Sequence, residues 1–599
     1  MQVKSMIEPM NANLPHKTGL RRQRVLFLIG AFSVSCLPAL LLLSKVMSSP
    51  MNVYIGRNQD SGQFMWYLGW FWYATLHHLN PLLTSNLNYP HGVNLMWNTS
   101  IVTEAILFGP LVYLVNSVFA FNMLIAVNLV LFGVLGAFIL KKLGVRNWIA
   151  ILSGALLECA PAMVNQLVDG HVNLTTAPLC LLLAVYLSLH VIKARPRNNL
   201  LFGALTGLAI AMEFYSSLEV LTTTVIALAV FSALSLLLNF RNFLQQVKSI
   251  PIAFYFGTTI TTIVLVLPGL AEYFLGPYQT HITGSLVPYD HWVTNLFHLF
   301  IPTQAQFIHA KSTDIVTSLT NVNLAEVNGY LGIPMLVTVI WAGTTMWSNK
   351  YIRALTLTMI CIVLLSMGPY LHILNITTSV RLPWFYIGQL PIIRDILPSR
   401  LMVYADIACV ITVSLALEQA LQGGNRMKRG VTVMTVLLAL VGTWLPTTDF
   451  PSQTVPPSVA AVERGGSLYP LLEHQPTTVI TNNYWTFGYN LQFLADDRYT
   501  IPVNNVYAFP YTSYSEFGHL RTRAPSQFLF ASAYASRSYK LALQDVESYI
   551  QARSPQRFLY IKTSTSMLPK TLSQALTELC GKPIQNFGDE VWVVPTRYG

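Results

Sequence analysis

Charge is what this sequence has least of. Only 10% of its residues are Asp, Glu, Lys or Arg, where soluble domains carry about 25%, and its mean hydropathy is +0.48. A chain of 599 residues with so little charge cannot be one soluble globule, and it reads as a polytopic α-helical membrane protein. Cysteine is also scarce. Five of the six (Cys36, Cys159, Cys180, Cys361, Cys409) fall inside apolar runs and only Cys580 lies in a polar stretch. No CxxC or Cys/His spacing occurs, so neither a disulfide framework nor a zinc site is supported. A P-loop and a Rossmann glycine fingerprint are both missing, and no repeat of about 20–50 residues stands out. The net charge of +11 does not point to nucleic acid, because the Lys and Arg residues are scattered through short loops and form no basic surface.

What the chain has in abundance is apolar runs. Stretches of about 20 apolar residues cross ~30 Å of hydrocarbon. They fall near 25–47, 121–140, 147–167, 173–192, 199–213, 217–239, 250–275, 329–348, 353–373, 401–420 and 430–447, about eleven in all. Residues 101–116 are apolar but short, with Pro110 inside, and read as a re-entrant or interfacial helix. This choice puts Lys17, Arg21, Arg22 and Arg24, Lys141, Lys142 and Arg146, Lys193, Arg195 and Arg197, Arg241 and Lys248, Lys350 and Arg353, and Arg426, Lys428 and Arg429 on one side. The positive-inside rule makes that side cytoplasmic. The expected layout is a cytoplasmic N-terminal tail (1–24), a transmembrane domain (25–448) with outer loops 48–120, 277–328 and 374–400, and an extracytoplasmic α/β domain (449–599). In the last part, β-prone runs (TTVITNN, RYTIPVNNVY, RFLYIKT, EVWVVPT) alternate with helical patterns such as KLALQDVESYIQAR. The first span follows basic residues and has no small-residue cleavage site after it, so it reads as an uncleaved anchor in the cell (inner) membrane.

The stretch from Arg57 to Glu104, RNQDSGQFMWYLGWFWYATLHHLNPLLTSNLNYPHGVNLMWNTSIVTE, organises the rest. One carboxylate, Asp60, precedes Trp66, Trp70, Trp72 and Trp97. Aromatic rings at this density suit the headgroup level of a bilayer, so the loop is expected to lie on the membrane surface. Other ionisable residues also collect at the outer ends of spans. They are Glu104, Asp169 and His171 in VDGHVN, Glu213 with Tyr215 in MEFYSSLE, Asp290 and His291, and Arg394 and Arg400 in GQLPIIRDILPSR. Ionisable groups at membrane depth are default candidates for function, and their collection on one face predicts a cavity open to lipid and to the exterior. The centres of the spans read as clean.

An N-in first span, a long first outer loop with an early Asp, about eleven spans and an outer soluble domain resemble the GT-C superfamily of polyprenyl-phosphate-sugar-dependent glycosyltransferases. The segment NQDSGQFMWYLGWFWYATLHHLNPLLTSNLNYPHGVNLMWNTS is similar to the first loop of an uncharacterised bacterial branch, and so are VDGHVNL, EFYSSLE and LPSRLMVYADIACV. Asn58-Gln59-Asp60 supplies a single acid where an acidic pair is common, which fits the metal-independent members.

The resemblance implies an inverting hexosyl- or pentosyltransferase. It would move a sugar from a polyprenyl-phosphate donor to a glycan, lipid or protein acceptor at the outer face of the bilayer. Asp60 would be the general base; the plainer reading is an N-cap for the aromatic helix behind it. Arg394, Arg400 and His291 would hold the donor phosphate, against headgroup anchoring or a salt bridge of Arg394 with Asp395. His298 is a weaker candidate of the same kind. Glu104, Asp169, His171, Glu213 and Tyr215 would bind sugar or acceptor, with Asn80, Asn94 and Asn98 as further contacts or simple turn residues. No cofactor is implied and no metal site is assigned; a divalent cation at Asp169 and His171 is not favoured, since two ligands do not make a site. A transporter or flippase for lipid-linked glycans, or a non-catalytic cell-envelope assembly protein, is the alternative. The transporter would call for polar or broken spans near mid-membrane.

Overall fold

Peptide groups in hydrocarbon must satisfy one another, and the apolar runs accordingly form helices. The computed structural model describes residues 17–57, 60–278, 290–309, 323–390, 393–422, 426–480, 491–496, 498–504, 531–562, 568–586 and 588–596. The helices in chain order are α1 (Lys17–Leu42), α2 (Asp60–Leu76), α3 (Val102–Leu114), α4 (Ser117–Lys142), α5 (Asn147–Glu158), α6 (Pro161–Gln166), α7 (Val172–Ala194), α8 (Asn199–Ser216), α9 (Leu218–Ser249) and α10 (Ile252–Leu275). After them come α11 (Ile333–Thr345), α12 (Lys350–Ser366), α13 (Met402–Ala420) and α14 (Arg426–Trp444). Among the described residues eight stretches are long and apolar enough to cross a membrane: 22–42, 117–142, 147–169, 172–194, 199–216, 218–249, 252–275 and 398–420. The protein is a polytopic helical membrane protein. The runs at 329–348, 353–373 and 430–447 fall on α11, α12 and α14, which have 13, 17 and 19 residues. Residues 101–116 give α3, a 13-residue helix.

Helix ends are set by side chains that meet orphan N–H groups. Asn116 accepts from Phe119 N at 2.8 Å at the head of α4, and Ser217 from Val220 N at 3.3 Å at the head of α9. The stretch 147–169 is one run in sequence but a broken helix in space. Pro161 has no N–H and disfavours a helical residue before it. Cys159 and Ala160 therefore leave the helix, and the Asp406 carboxylate on α13 accepts from Ala162 N at 3.2 Å to restart it as α6. Asp406 and Glu158 are both buried, so the spans are not clean in their centres. Neither acid stands out in the sequence, because each is a single polar residue in an apolar run.

The aromatic loop departs from expectation. Trp66, Tyr67 and Trp70 of α2 are at most 2% exposed and lie in a core, not at a headgroup interface. Tyr499, from the C-terminal part, stands edge-on to Trp66 and Trp70 with centroids 5.2 and 5.3 Å away, and donates its hydroxyl proton to Trp66 O at 2.7 Å. The run RYTIPVNNVY therefore does not make a strand over its described part: Arg498 and Tyr499 take φ of 55° and 58°, a turn that aims the ring at α2. Tyr499→Ala is expected to cost about 3–5 kcal/mol, as for other buried aromatics cut to Ala. Tyr499→Phe, losing one hydrogen bond, should cost about 1 kcal/mol. Thermal unfolding of the detergent-solubilised protein measures both.

Among the described residues there are also ten short strands: β1 (Val53–Ile55), β2 (Leu83–Thr84), β3 (Val93–Asn94), β4 (Tyr370–Ile373), β5 (Ile376–Arg381), β6 (Ser452–Thr454), β7 (Thr477–Ile480), β8 (Arg557–Tyr560), β9 (Ile584–Asn586) and β10 (Asp589–Val593). A mixed sheet in the order β7-β8-β10-β9 forms the C-terminal part, with β7 and β8 parallel and the other pairs antiparallel. Helices Tyr539–Arg553 and Lys570–Cys580 pack beside it. The 448/449 boundary is no gap in packing, since residues of α1, α2 and α4 share one core with Phe450, Leu472 and Leu559. The N-terminal 16 residues, His281 and Tyr289 lie outside the described residues.

Candidate active site

Two backbone clamps bring Asp60 to its partner. Strand β1 pairs antiparallel with β6, Gly56 N donates to Pro451 O at 2.9 Å, and Arg57 N donates to Val168 O at 2.8 Å. The start of α2 is thereby pinned against the turn between α6 and α7. That turn needs its glycine: Gly170 has φ of 75° and packs on Ser61, where a Cβ would collide with the Ser61 hydroxyl. Asp169 and His171 on either side of it are sent in different directions.

From Asp60 a line of polar contacts runs through one end of the bundle. The Asp60 carboxylate meets His171 Nε2 at 2.7 Å, and His171 Nδ1 meets Gln166 Oε1 at 2.6 Å. Gln166 Nε2 donates to Glu326 Oε2 at 3.2 Å, which points its amide oxygen at the imidazole and so places a proton on Nδ1. Arg400 donates to Glu326 Oε1 at 2.6 Å and Oε2 at 3.3 Å, and to Glu219 Oε2 at 2.5 Å. Its guanidinium thus gives three of five N–H groups to carboxylates. A cavity of ≈ 20 Å³ beside Gln166, Glu219, Arg400 and Tyr404 has room for about one water. The Asp60 side chain at one end is 24% exposed and the Glu219 side chain at the other 22%, while Glu326 between them is 3% exposed.

Charge settles along this line according to burial and neighbours. Burial pulls the His171 imidazole down, but the hydrogen bond and charge of Asp60 outweigh it and hold the imidazole above its ordinary value; Arg400 lowers it and Glu326 raises it further. Burial pushes the Glu326 carboxyl up, and the Arg400 charge and hydrogen bond, with His171 and Gln166, bring it below the ordinary range. A raised imidazole adds stability that is complete below its unfolded value of about 6.5 and fades as pH rises through the native one. A lowered carboxyl adds stability present above its unfolded value of about 4.3, fading as pH falls through the native one. Thermal stability should therefore form a plateau that declines on both flanks, and His171→Asn should flatten the alkaline flank in calorimetry across pH.

The remaining candidates divide. Asp169 is buried and faces Arg57, 3.5 Å away, and the Asn323 amide rather than the Asp60–His171 pair. Glu213 accepts from Thr224 at 2.7 Å, and Thr224 lies 2.9 Å from the Tyr404 hydroxyl. Tyr215 is inserted into α10 beside Pro268, accepting from Gly269 N at 3.0 Å and donating to Leu265 O at 2.9 Å, the place where a helix ladder opens. Glu104 is wholly buried in the first turn of α3. His291 sits at the same rim as Arg400, because Trp292 O accepts from Ser399 N at 3.2 Å; burial lowers its imidazole, against the charges of Asp290 and Glu326. Arg394 is half-exposed, 3.7 Å from Asp395. His298 is buried in a capping box with Asn295. Asn80 and Asn94 bind the end of α10 at Glu272. Among the described residues no three His, Cys, Asp or Glu side chains gather where a metal ion would be held. Gln166, Glu219 and Glu326, which carry the line, have no role assigned from the sequence; Gln166 and Glu326 belong to no motif and meet only in space.

The arrangement of spans, first long loop and C-terminal part is similar to the fold of solved GT-C membrane glycosyltransferases. The cryo-electron-microscopy structure of arabinofuranosyltransferase AftD from Mycobacteria superposes with a TM-score of 0.53 at 14% identity, covering 97% of this chain and 40% of that one. The oligosaccharyltransferase of Archaeoglobus fulgidus, in complex with Zn and sulfate, gives 0.52 at 10% identity, covering 88% and 67%. The chain thus spans two fifths of the length of the mycobacterial enzyme. It belongs to the family described as Domain of unknown function (DUF6311), whose profile matches residues 32–441. No curated protein matches it.

Proposed function

We propose that this protein is an inverting glycosyltransferase that moves a sugar from a polyprenyl-phosphate donor to a glycan, lipid or protein acceptor, with Asp60 as general base. The supporting observation is the Asp60–His171–Gln166 arrangement, a carboxylate oriented by an imidazole that is itself oriented by an amide, set on a GT-C fold. In the reaction the acceptor hydroxyl attacks the anomeric carbon and its proton passes to Asp60. The bond from that carbon to the phosphate oxygen breaks, and the phosphate leaves with the electron pair. Arg394 and His291, with the two N–H groups of Arg400 that no carboxylate among the described residues takes, would receive the developing charge. The basic helix ends would lie in the cytoplasm and the site and C-terminal domain outside, with about eleven spans.

The reaction proposed is metal-independent. Both nitrogens of His171 are occupied by protein groups, and Asp169 is engaged by Arg57 and Asn323. The test is purified protein with a panel of polyprenyl-phosphate sugars and mixed glycan and lipid acceptors, with and without chelator. Donor consumption that Asp60→Asn abolishes and chelator spares supports the reading; consumption that Asp60→Asn leaves intact overturns it. A transporter finds one observation in its favour, the carboxyls of Glu158 and Asp406 within the bundle beside a broken helix. Asp406 already serves as the cap of α6, and vesicle uptake that survives Asp60→Asn would be its signature.

A further inference from the structure

On the outer rim a second opening, ≈ 130 Å³, lies between the 97–100 segment, the α8–α9 turn and the end of α10. At ~12 Å³ per water-sized occupant it has room for on the order of ten non-hydrogen atoms, the size of one sugar ring. Its chemistry is specific. Among the described residues no Lys, Arg or His lines it, and one carboxylate, Glu219, does, so a phosphate would find repulsion from that lining and no partner in it. Hydroxyls and an amide supply the rest of the polar lining: Asn98, Thr99 and Ser100 face it, and among the described residues no hydrogen bond to protein occupies the hydroxyls of Thr99 and Ser100. Two aromatic rings form the apolar side. Trp97 and Tyr273 stack at 4.5 Å and 10°, with Trp97 Nε1 donating to Tyr273 O at 3.1 Å, which holds the platform rigid.

Hydroxyl groups around a flat ring with C–H faces meet such a lining well, since aromatic faces attract the positive edge of C–H bonds and a carboxylate accepts strongly from O–H. We propose that this pocket binds one neutral saccharide unit of the acceptor, a proposal that rests on the glycosyltransferase reading above. Glu219 is shared between this pocket and the cavity beside Arg400. Asp60 lies at the far end of the polar line and does not line the pocket. A ligand that fills the pocket while reacting at Asp60 therefore extends beyond the sugar held there, which makes the acceptor a saccharide-bearing molecule larger than one sugar and not a simple lipid alcohol or a single amino-acid side chain.

The test needs no turnover. Full-length protein in a detergent without a sugar headgroup is titrated with methyl β-glucopyranoside and methyl α-mannopyranoside, and separately with inorganic phosphate, with binding read by saturation-transfer NMR. Saturable contact with at least one glycoside is expected. Thr99→Trp, which fills the pocket from a partly exposed position, and Trp97→Ala, which removes the platform, should each weaken it by about tenfold or more, and Asp60→Asn should leave it unchanged. Absence of glycoside contact, contact indifferent to both pocket variants, or phosphate held in preference to glycoside would overturn the proposal. Glycoside binding in a protein that turns over no donor would leave the pocket standing and remove the catalytic reading. Turnover without such binding would do the reverse.

Discussion

Replacing Asp60 by Asn is expected to lower sugar transfer by about 10²–10⁴-fold, the usual loss when a general base is removed, with little change in folding. The Asn side chain keeps the shape of the carboxylate and can still meet His171 Nε2, so the start of α2 should stay where β1 and the Val168 carbonyl hold it. What disappears is the capacity to accept a proton as the acceptor oxygen attacks. The loss should fall on kcat with KM nearly unmoved, because the proton is transferred only in the transition state. His171→Gln should give a milder defect of the same sign, since it removes the group that orients the carboxylate but not the base itself. Initial-rate measurements on the best donor of the panel distinguish these patterns, and an Asp60→Asn enzyme with wild-type kcat would remove Asp60 from the chemistry.

Arg400→Met is expected to cost about 3–5 kcal/mol of stability, because it strands carboxylates that have given up water. Glu326 has a side chain 3% exposed and takes two hydrogen bonds from that guanidinium, and Glu219 takes a third. Lysine should rescue poorly, since a single ammonium cannot repeat the forked contact to Glu326 while also reaching Glu219. A triple variant carrying Arg400→Met, Glu219→Leu and Glu326→Leu should be more stable than Arg400→Met alone, because it removes the stranded charges together with their partner. Apparent melting temperatures of the solubilised proteins test the order. If the single and triple variants melt together, the carboxylates are not held by Arg400 in the way the contacts imply.

The helices were legible because a bilayer requires long apolar runs, and α4, α7, α9 and α10 read directly as such. The breaks were not. Nothing local announces that Asp406 caps the helix restarted at Pro161, since Asp406 and Ala162 are 244 positions apart. The same holds for the aromatic loop, where Trp66 and Trp70 carry the composition of a membrane interface while a tyrosine more than 400 positions away makes them a core. Of the site, Asp60, His171 and Arg400 could be named from residue type and outer placement. The contacts that join them run through Gln166, Glu219 and Glu326, ordinary residues whose importance comes from which neighbours they meet. Tyr215 shows the converse, a polar ring in a promising turn whose hydroxyl is taken by the opened ladder of α10 while the residue still borders the second opening.

The clamp on the segment before Asp60 also orders events during synthesis. Strand β1 leaves the ribosome roughly 400 residues ahead of β6, and Trp66 precedes Tyr499 by 433. Contacts so distant along the chain form late, since loop closure has to precede them. The spans can insert one after another while Asp60 still lacks half of its support. A nascent chain halted before residue 450 would thus sit in the membrane with most of its helices in place and Asp60 not yet clamped, and the proposed sugar transfer would require the C-terminal part to have folded back onto the first loop.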